Sequence, residues 1–306
     1  MTISARWLIV LGVIAAPLWA ANPGEPGTIN YVEGDAAIDG SPMDARSVGS
    51  SMLNPGQTLE TQQGRVEVLL TPGVFLRLGD HSALRMISPG LTNTHVALLR
   101  GEAMLEVTEL LKENNLRVSV AGAEATIQKT GLYAFDAVNP QVRVYEGKAV
   151  VSRSDMHVEL GKGRKVVLSG NWKAQKFDRD RHDTLFAWSD VRSEYLAEAS
   201  VESAQTYMAE PYGWLGGGWY WNPWWSMYSF IPGDGIFYSP FGWGFYAPRY
   251  VVFAPRRWYA GGWRTGGRLA ARRAVSGRAV SRPVPASGFH SAAAPAAHFG
   301  GGFHGR

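Results

Sequence analysis

The 306-residue sequence predicts an all-β fold, a sandwich or roll of short antiparallel strands, followed by one long helix and a largely disordered aromatic and basic tail. Three observations predict it. Apolar residues alternate with period two, as in Leu98 to Arg153, and such alternation marks half-buried strands because successive side chains point to opposite faces. Turn signals recur at roughly 8–12 residue intervals, the spacing of a sandwich or barrel. No helix-length apolar stripe appears before residue 177, and one appears after it.

The elements follow in order. Residues 1–21 read as a secretory signal peptide. Arg6 precedes the apolar run Trp7 to Ala16, and small residues at Ala20 and Ala21 offer the cut. The run is short for a bilayer span, which needs about 20 residues; retention as an uncleaved anchor is the alternative. After the linker Asn22 to Gly27, Thr28 to Gly40 reads as a hairpin, with turns at Gly34-Asp35 and Asp39-Gly40. Val66, Val68 and Leu70 alternate, Pro72-Gly73 turns, and Val74 to Asp80 and Ala83 to Ile87 add short strands. Val118, Val120, Ala125, Ile127, Val142, Val144 and Val150 look like strand-face residues. A hairpin around Gly161-Lys162-Gly163 closes the series.

These residues carry a family resemblance. The span 27–170 resembles a FecR domain, in the opening VEGDAAIDG, the middle LNPGQTLETQQGRVEVLLTPGVFLRLGDHSALRMI, the turn LLRGEAMLEV and the late VRVYEGKAVVS. The resemblance implies a β-rich extracytoplasmic module used for interaction and signalling, without catalysis. Where the family usually has T....V.GT.F.V, this chain has Ala125 to Phe135. Family transducers that regulate a sigma factor carry a cytoplasmic segment and a membrane helix before the domain. Only six residues precede the apolar run here, so an anti-sigma role is not the expected one.

A helix is expected over 177–208, with Asp183 as its cap and Leu185, Trp188, Val191, Tyr195 and Ala199 as its apolar stripe. Arg192 and several acids would fill the remaining surface. Residues 209–260 are aromatic and rich in Gly and Pro; by composition they resemble extensions that follow FecR-like domains in some acidobacterial exported proteins. Few aliphatic residues accompany the rings, so they are not expected to bury one another as an ordinary core does. Two readings stay open: a docking surface, or irregular turns folded against the β-domain. Residues 261–306 are rich in Arg, Ala, Gly and Pro and are expected to be disordered.

Composition narrows the chemistry. With no cysteine, disulfides, thiolate metal sites and thiol catalysis are excluded. No G-x-S-x-G, H-E-x-x-H or P-loop occurs. Glu102 and Glu106 fall on one strand face, and converging carboxylates could do acid–base work; charges that block pairing at an edge strand are the commoner use. His81, His95, His157, His182, His290, His298 and His304 show no ligand spacing; a loose copper or nickel site among the last three is the sharper reading, solvated low-complexity sequence the plainer one. Neither a cofactor nor a metal is expected.

The net charge of +4 hides an asymmetry: from Arg256 to the end there is no Asp or Glu. Trp and Tyr stack on sugars or sit at membrane interfaces, and arginines attract phosphates and carboxylates. Trp219, Trp221, Trp224, Trp225, Arg256, Arg257, Arg272 and Arg273 are the expected docking residues. Peptidoglycan, lipopolysaccharide or a membrane surface is the expected target, with an envelope protein or peptide as partner of the β-domain. Nucleic acid suits the same chemistry, but an exported chain does not meet it. The expected role is therefore a non-enzymatic binding or scaffold protein of the periplasm or cell envelope. The alternative is a signal-sensing component related to FecR transducers.

Overall fold

The computed structural model describes residues 24–209, 211 and 214–255. The segment read as a signal peptide and the basic tail from Arg256 lie outside them. Among the described residues no helix is long and apolar enough to cross a membrane.

Fifteen strands form one sheet that doubles back on itself. Its pivot is β3 (Thr58–Leu69). Residues 58–60 of β3 pair with β5 (Ala83–Gly90), while residues 66–69 pair with β4 (Val74–Leu78). Alongside β3 runs β1 (Ile29–Ile38), which also pairs with the short β2 (Ser41–Met43). The β1–β3 pair bends where Gly34 opposes Gly64. A Cβ on Gly34 would meet the Gln63 carbonyl at 2.0 Å, and its φ of +68° also favours glycine.

Two layers extend from this pivot. The first runs β5, β6 (Asn93–Arg100), β8 (Arg117–Val120), β9 (Ala123–Ile127), β12 (Lys148–Arg153) and β13 (Met156–Gly161). The second runs β4, β7 (Glu102–Val107), β10 (Gly131–Asp136), β11 (Gln141–Glu146), β14 (Arg164–Val167) and β15 (Gln175–Lys176). The strands pair antiparallel except β6 with β8, which are parallel because the chain crosses to the second layer between them. Side chains from both layers interdigitate in one apolar core that includes Val66, Leu76, Leu105, Phe135, Val96, Val118 and Ala125. The alternating register decides which valine enters: Ala149 and Val151 of β12 point in, and Val150 lies on the outer side.

The helix α1 spans Thr184–Ala209, not 177–208. Gln175–Lys176 extend the sheet instead, and Asp183 stops the helix from starting earlier. Its carboxylate accepts from the Phe186 amide at 2.8 Å, satisfying a donor that the first turn would leave orphaned. The apolar stripe differs too. Val191 is 44% exposed, whereas Ser189, Arg192, Ser193, Leu196, Ser200 and Ala204 are buried. The reason is what lies below: the outer side of the second layer presents charges, which a wholly apolar stripe could not satisfy.

The aromatic tract takes the second of its two readings, and it is more regular than irregular turns. Two hairpins form, β16 (Gly218–Asn222) with β17 (Met227–Ile231) and β18 (Ile236–Tyr238) with β19 (Gly244–Tyr246). Trp219, Phe230 and Phe245 are buried against Leu69 and Phe75 of the sheet and Leu196, Ala197 and Val201 of α1. The rings thus do make a core. The aliphatic surface they lack locally comes from the sheet and the helix, and the small helical residues let them approach closely.

Candidate functional site

The outer side of the second layer holds Glu106, one of the sequence-predicted carboxylates, in a buried charged cluster. Glu67 on β3, Arg77 on β4 and Glu106 on β7 stand side by side there, all fully buried. Arg77 Nε donates to Glu67 Oε2 at 2.9 Å, and its Nη1 donates to Glu106 Oε2 at 2.6 Å. Arg192 of α1 donates to Glu67 Oε1 at 2.9 Å. Ser193 donates to Glu106 Oε1 at 2.8 Å and meets the Ser239 hydroxyl at 2.8 Å. Two carboxylates thus face two guanidiniums, and the formal charges cancel.

Electrostatics follow from this pairing. Burial alone would raise the Glu67 carboxyl, but Arg192 and Arg77 outweigh it and hold the group below its ordinary value. Burial would likewise lower Arg77, yet Glu106 and Glu67 keep it above its ordinary value. The Arg192 guanidinium also sits 4.1 Å over the Tyr31 ring. Burial pushes the Tyr31 hydroxyl up to about 12, against the pull of Arg192. Asn30 joins the aromatic module to the same point: its amide accepts from Tyr228 N at 2.7 Å and donates to Tyr228 O and Glu67 Oε1, each at 3.0 Å. The network is a register pin joining sheet, helix and aromatic hairpin.

Glu106 is therefore neither an edge charge nor half of a catalytic pair. Its strand β7 lies between β4 and β10, so no edge is there to guard. Four residues of strand separate Glu102 from Glu106 by roughly 13 Å at 3.3–3.4 Å per residue, and their surroundings differ. Glu102 lines a cleft of about 600 Å³ between the second layer and the start of α1. Asp136 lies directly opposite it across the β7–β10 pair. Asp183 lines the same cleft and receives a hydrogen bond from Arg143 Nη2 at 3.2 Å. Burial first, then Asp183 and Asp136, raise the Glu102 carboxyl above its ordinary value, against Arg143. Lys176 and Arg181 lie exposed at the cleft, beside Phe177 and His182.

The four expected docking tryptophans are separated by burial. Trp219 is 5% exposed and packs edge-on against Phe75, ring centroids 5.0 Å apart. Trp221 lies over Gly49 and meets Tyr228 edge-on. Trp225 donates to Glu202 at 2.8 Å. Trp224 is 67% exposed. Arg256, Arg257, Arg272 and Arg273, like His290, His298 and His304, lie outside the described residues. Sequence reasoning missed Glu67, Arg77 and Arg192 because each sits in an alternating or amphipathic pattern where a charge reads as solvent-facing. Among the described residues no group of three or more His, Asp or Glu side chains is arranged to hold a metal ion.

Comparison with known proteins sets this architecture in a class. Residues 57–170 match the family model described as FecR protein. Over that span the chain resembles a FecR domain. The resemblance in the sequence starts at Gly27, and β1 and β2, which precede the match, belong to the same sheet. Two crystal structures of a protein described as an anti-sigma factor from Parabacteroides distasonis ATCC 8503 are similar to the chain. The first, at 1.65 Å resolution, has 16% identity and a TM-score of 0.34, covering 44% of this chain and 64% of that one. The second, at 2.50 Å, has 15% identity and a TM-score of 0.34, covering 48% and 72%. The match thus spans just under two thirds of the first structure's chain. No curated protein matches this chain.

Proposed function

We propose that the protein is a non-enzymatic, exported binding module of the cell envelope, related to signal transduction through its FecR domain. The sandwich receives a protein or peptide, and the arginine-rich C-terminal sequence docks on an anionic or glycan surface. The observation that carries this reading is the pinned second layer. Helix and aromatic hairpins lock onto it through Glu67, Arg77, Glu106 and Arg192, so the groups best suited to chemistry are spent on holding the module together. A polar strand face, a cleft and Trp224 are among what stays open to solvent.

Co-sedimentation tests the docking half. Full-length protein is spun with purified peptidoglycan and with anionic lipid vesicles across a salt series. Pelleting that salt reverses is expected, because screening weakens exposed charge attraction within about 10 Å at 0.1 M. Replacing Arg256, Arg257, Arg272 and Arg273 by Gln should abolish it. Equal pelleting of that variant would remove the tail from the docking role.

The FecR match favours a second reading, a signal-sensing component relayed by a neighbouring membrane protein. Deletion of the gene would then change the transcription of a transporter, which a scaffold alone would not do.

A further inference from the structure

The cleft at the start of α1 carries charges of both signs. Its floor is made by the carboxylates of Glu102, Asp136 and Asp183, with Arg143 among them. Asp136 is fully engaged: it accepts from the amides of Val138 and Asn139 and from Gln141 Nε2, closing the turn after β10. Asp183 is engaged by the helix amide and by Arg143. Glu102 has no side-chain hydrogen bond or ion pair among the described residues, although two carboxylates flank it. Like charges directly opposite each other on paired strands are destabilising, and Glu102 faces Asp136 in that register. Arg143 relieves this only in part: its ion pair goes to Asp183, and its pull on the Glu102 carboxyl is outweighed by burial and the two acids.

The rim is mixed in sign: Asp178 is exposed there, and Lys165 lines the cleft half-buried. Lys176 and Arg181 are exposed there and form no ion pair among the described residues. Phe177 forms a half-buried apolar wall, braced edge-on by Tyr145 at 5.0 Å. The volume falls within the range of small-ligand sites, roughly 300–1,000 Å³.

We propose that this cleft binds a short peptide with both termini free, its ammonium group on the Glu102 carboxylate and its carboxylate between Lys176 and Arg181. An ammonium group gives Glu102 the counter-charge and donors it lacks. The rim cations take the other end, and the Phe177 wall packs the carbon skeleton between them. Burial and the neighbouring acids raise the Glu102 carboxyl, as befits a carboxylate awaiting a cation. This deepens the peptide-binding half of the function proposed above and is independent of the docking half.

Isothermal titration of the full chain with trialanine, N-acetyl-trialanine and trialanine amide tests it. Trialanine is expected to bind. Acetylation should weaken binding about tenfold or more, since a hydrogen bond to a charged group is worth about 1.5–3 kcal/mol. Amidation should weaken it as well. In Glu102→Gln the acetylation penalty should vanish; in Lys176→Gln with Arg181→Gln the amidation penalty should vanish. No binding of any of the three at millimolar concentration overturns the proposal, and so does equal affinity for trialanine and its acetylated form. An acetylation penalty that survives Glu102→Gln removes the ammonium site from Glu102. Thermal melting checks that each variant folds, and Glu102→Ala gives the same comparison should the Gln variant misfold. Failure here leaves salt-reversible pelleting untouched, so the two readings fail separately.

Discussion

The two layers of the sandwich share one core but differ on their outer sides. In the first layer β8 and β9 alternate strictly between buried and half-exposed residues. In the second layer β4 and β10 are buried at every position. The first layer's outer side carries polar residues such as Arg117, Ser119, Glu124 and Thr126, open to solvent. The second layer's outer side is covered by α1 and the aromatic hairpins. A strand face left in water needs only to be polar. A covered face must be apolar or have every charge paired, because an unpaired buried charge costs several kcal/mol. The second layer does both, with Leu69, Phe75 and Met104 as apolar surface and Glu67, Arg77 and Glu106 as a closed ionic set.

The largest break of this comparison is Arg77→Met. It leaves Glu106 buried with no cation among the described residues and Glu67 with Arg192 alone, and removing one partner of a buried pair costs about 3–5 kcal/mol. Chemical denaturation should show a loss of about 4 kcal/mol, whereas Thr126→Ala on the open layer should stay within about 0.5 kcal/mol. Equal losses at the two positions would mean that the network carries no special cost.

The tryptophans sharpen it next. Trp219→Ala removes a ring packed between Phe75 and Phe230 and should cost about 3 kcal/mol, as large-to-small core changes do. Trp224→Ala should leave the melting curve within experimental error, because that side chain is mostly in water. A comparable loss for both would mean that the aromatic hairpins bear equally on every ring.

The subtlest effect is read as a slope against pH. The folded Glu67 carboxyl lies below its ordinary value. Its contribution is therefore fully present above the unfolded value, about 4.3, and is lost as pH falls through the folded one. Glu102 has the opposite sign: its folded value is raised, so its ionisation works against folding at neutral pH and is relieved as pH falls through that value. Glu102→Gln should then gain stability over the parent at pH 7 and lose that advantage on acidification. Urea midpoints measured from pH 7 to pH 4 test this, and a variant no more stable than the parent at pH 7 would contradict the assigned direction.

Much of the fold was legible in the sequence because its causes are local. Period-two alternation placed the strands, Gly-containing turns divided them, and Asp183 marked the helix start through the chemistry of one side chain and one amide. The motif order over residues 27–170 carried a resemblance to the FecR family, and residues 57–170 match that family's model. The candidate site was less legible. Glu106 was visible as a charged strand residue, but its neighbour in function is Arg77, 29 positions away, rather than Glu102 on its own strand. Arg192 and Glu67 are 125 positions apart. Such pairings leave no local trace.

The sequence by itself determined that the chain is β-rich, free of thiol chemistry, aromatic after the helix and basic at its end, since each of these follows from residue identity and spacing. The tertiary structure alone decided which side of each strand is covered. It also decided that rings after residue 214 share a core with Leu69, Phe75 and α1, and that Glu67, Arg77, Glu106 and Arg192 close on one another in the interior. The physical reason is that burial belongs to a pair of surfaces. A strand or helix can specify which residues share a face, but what covers that face is set by distant segments, and only their arrival makes a charge costly or a ring buried.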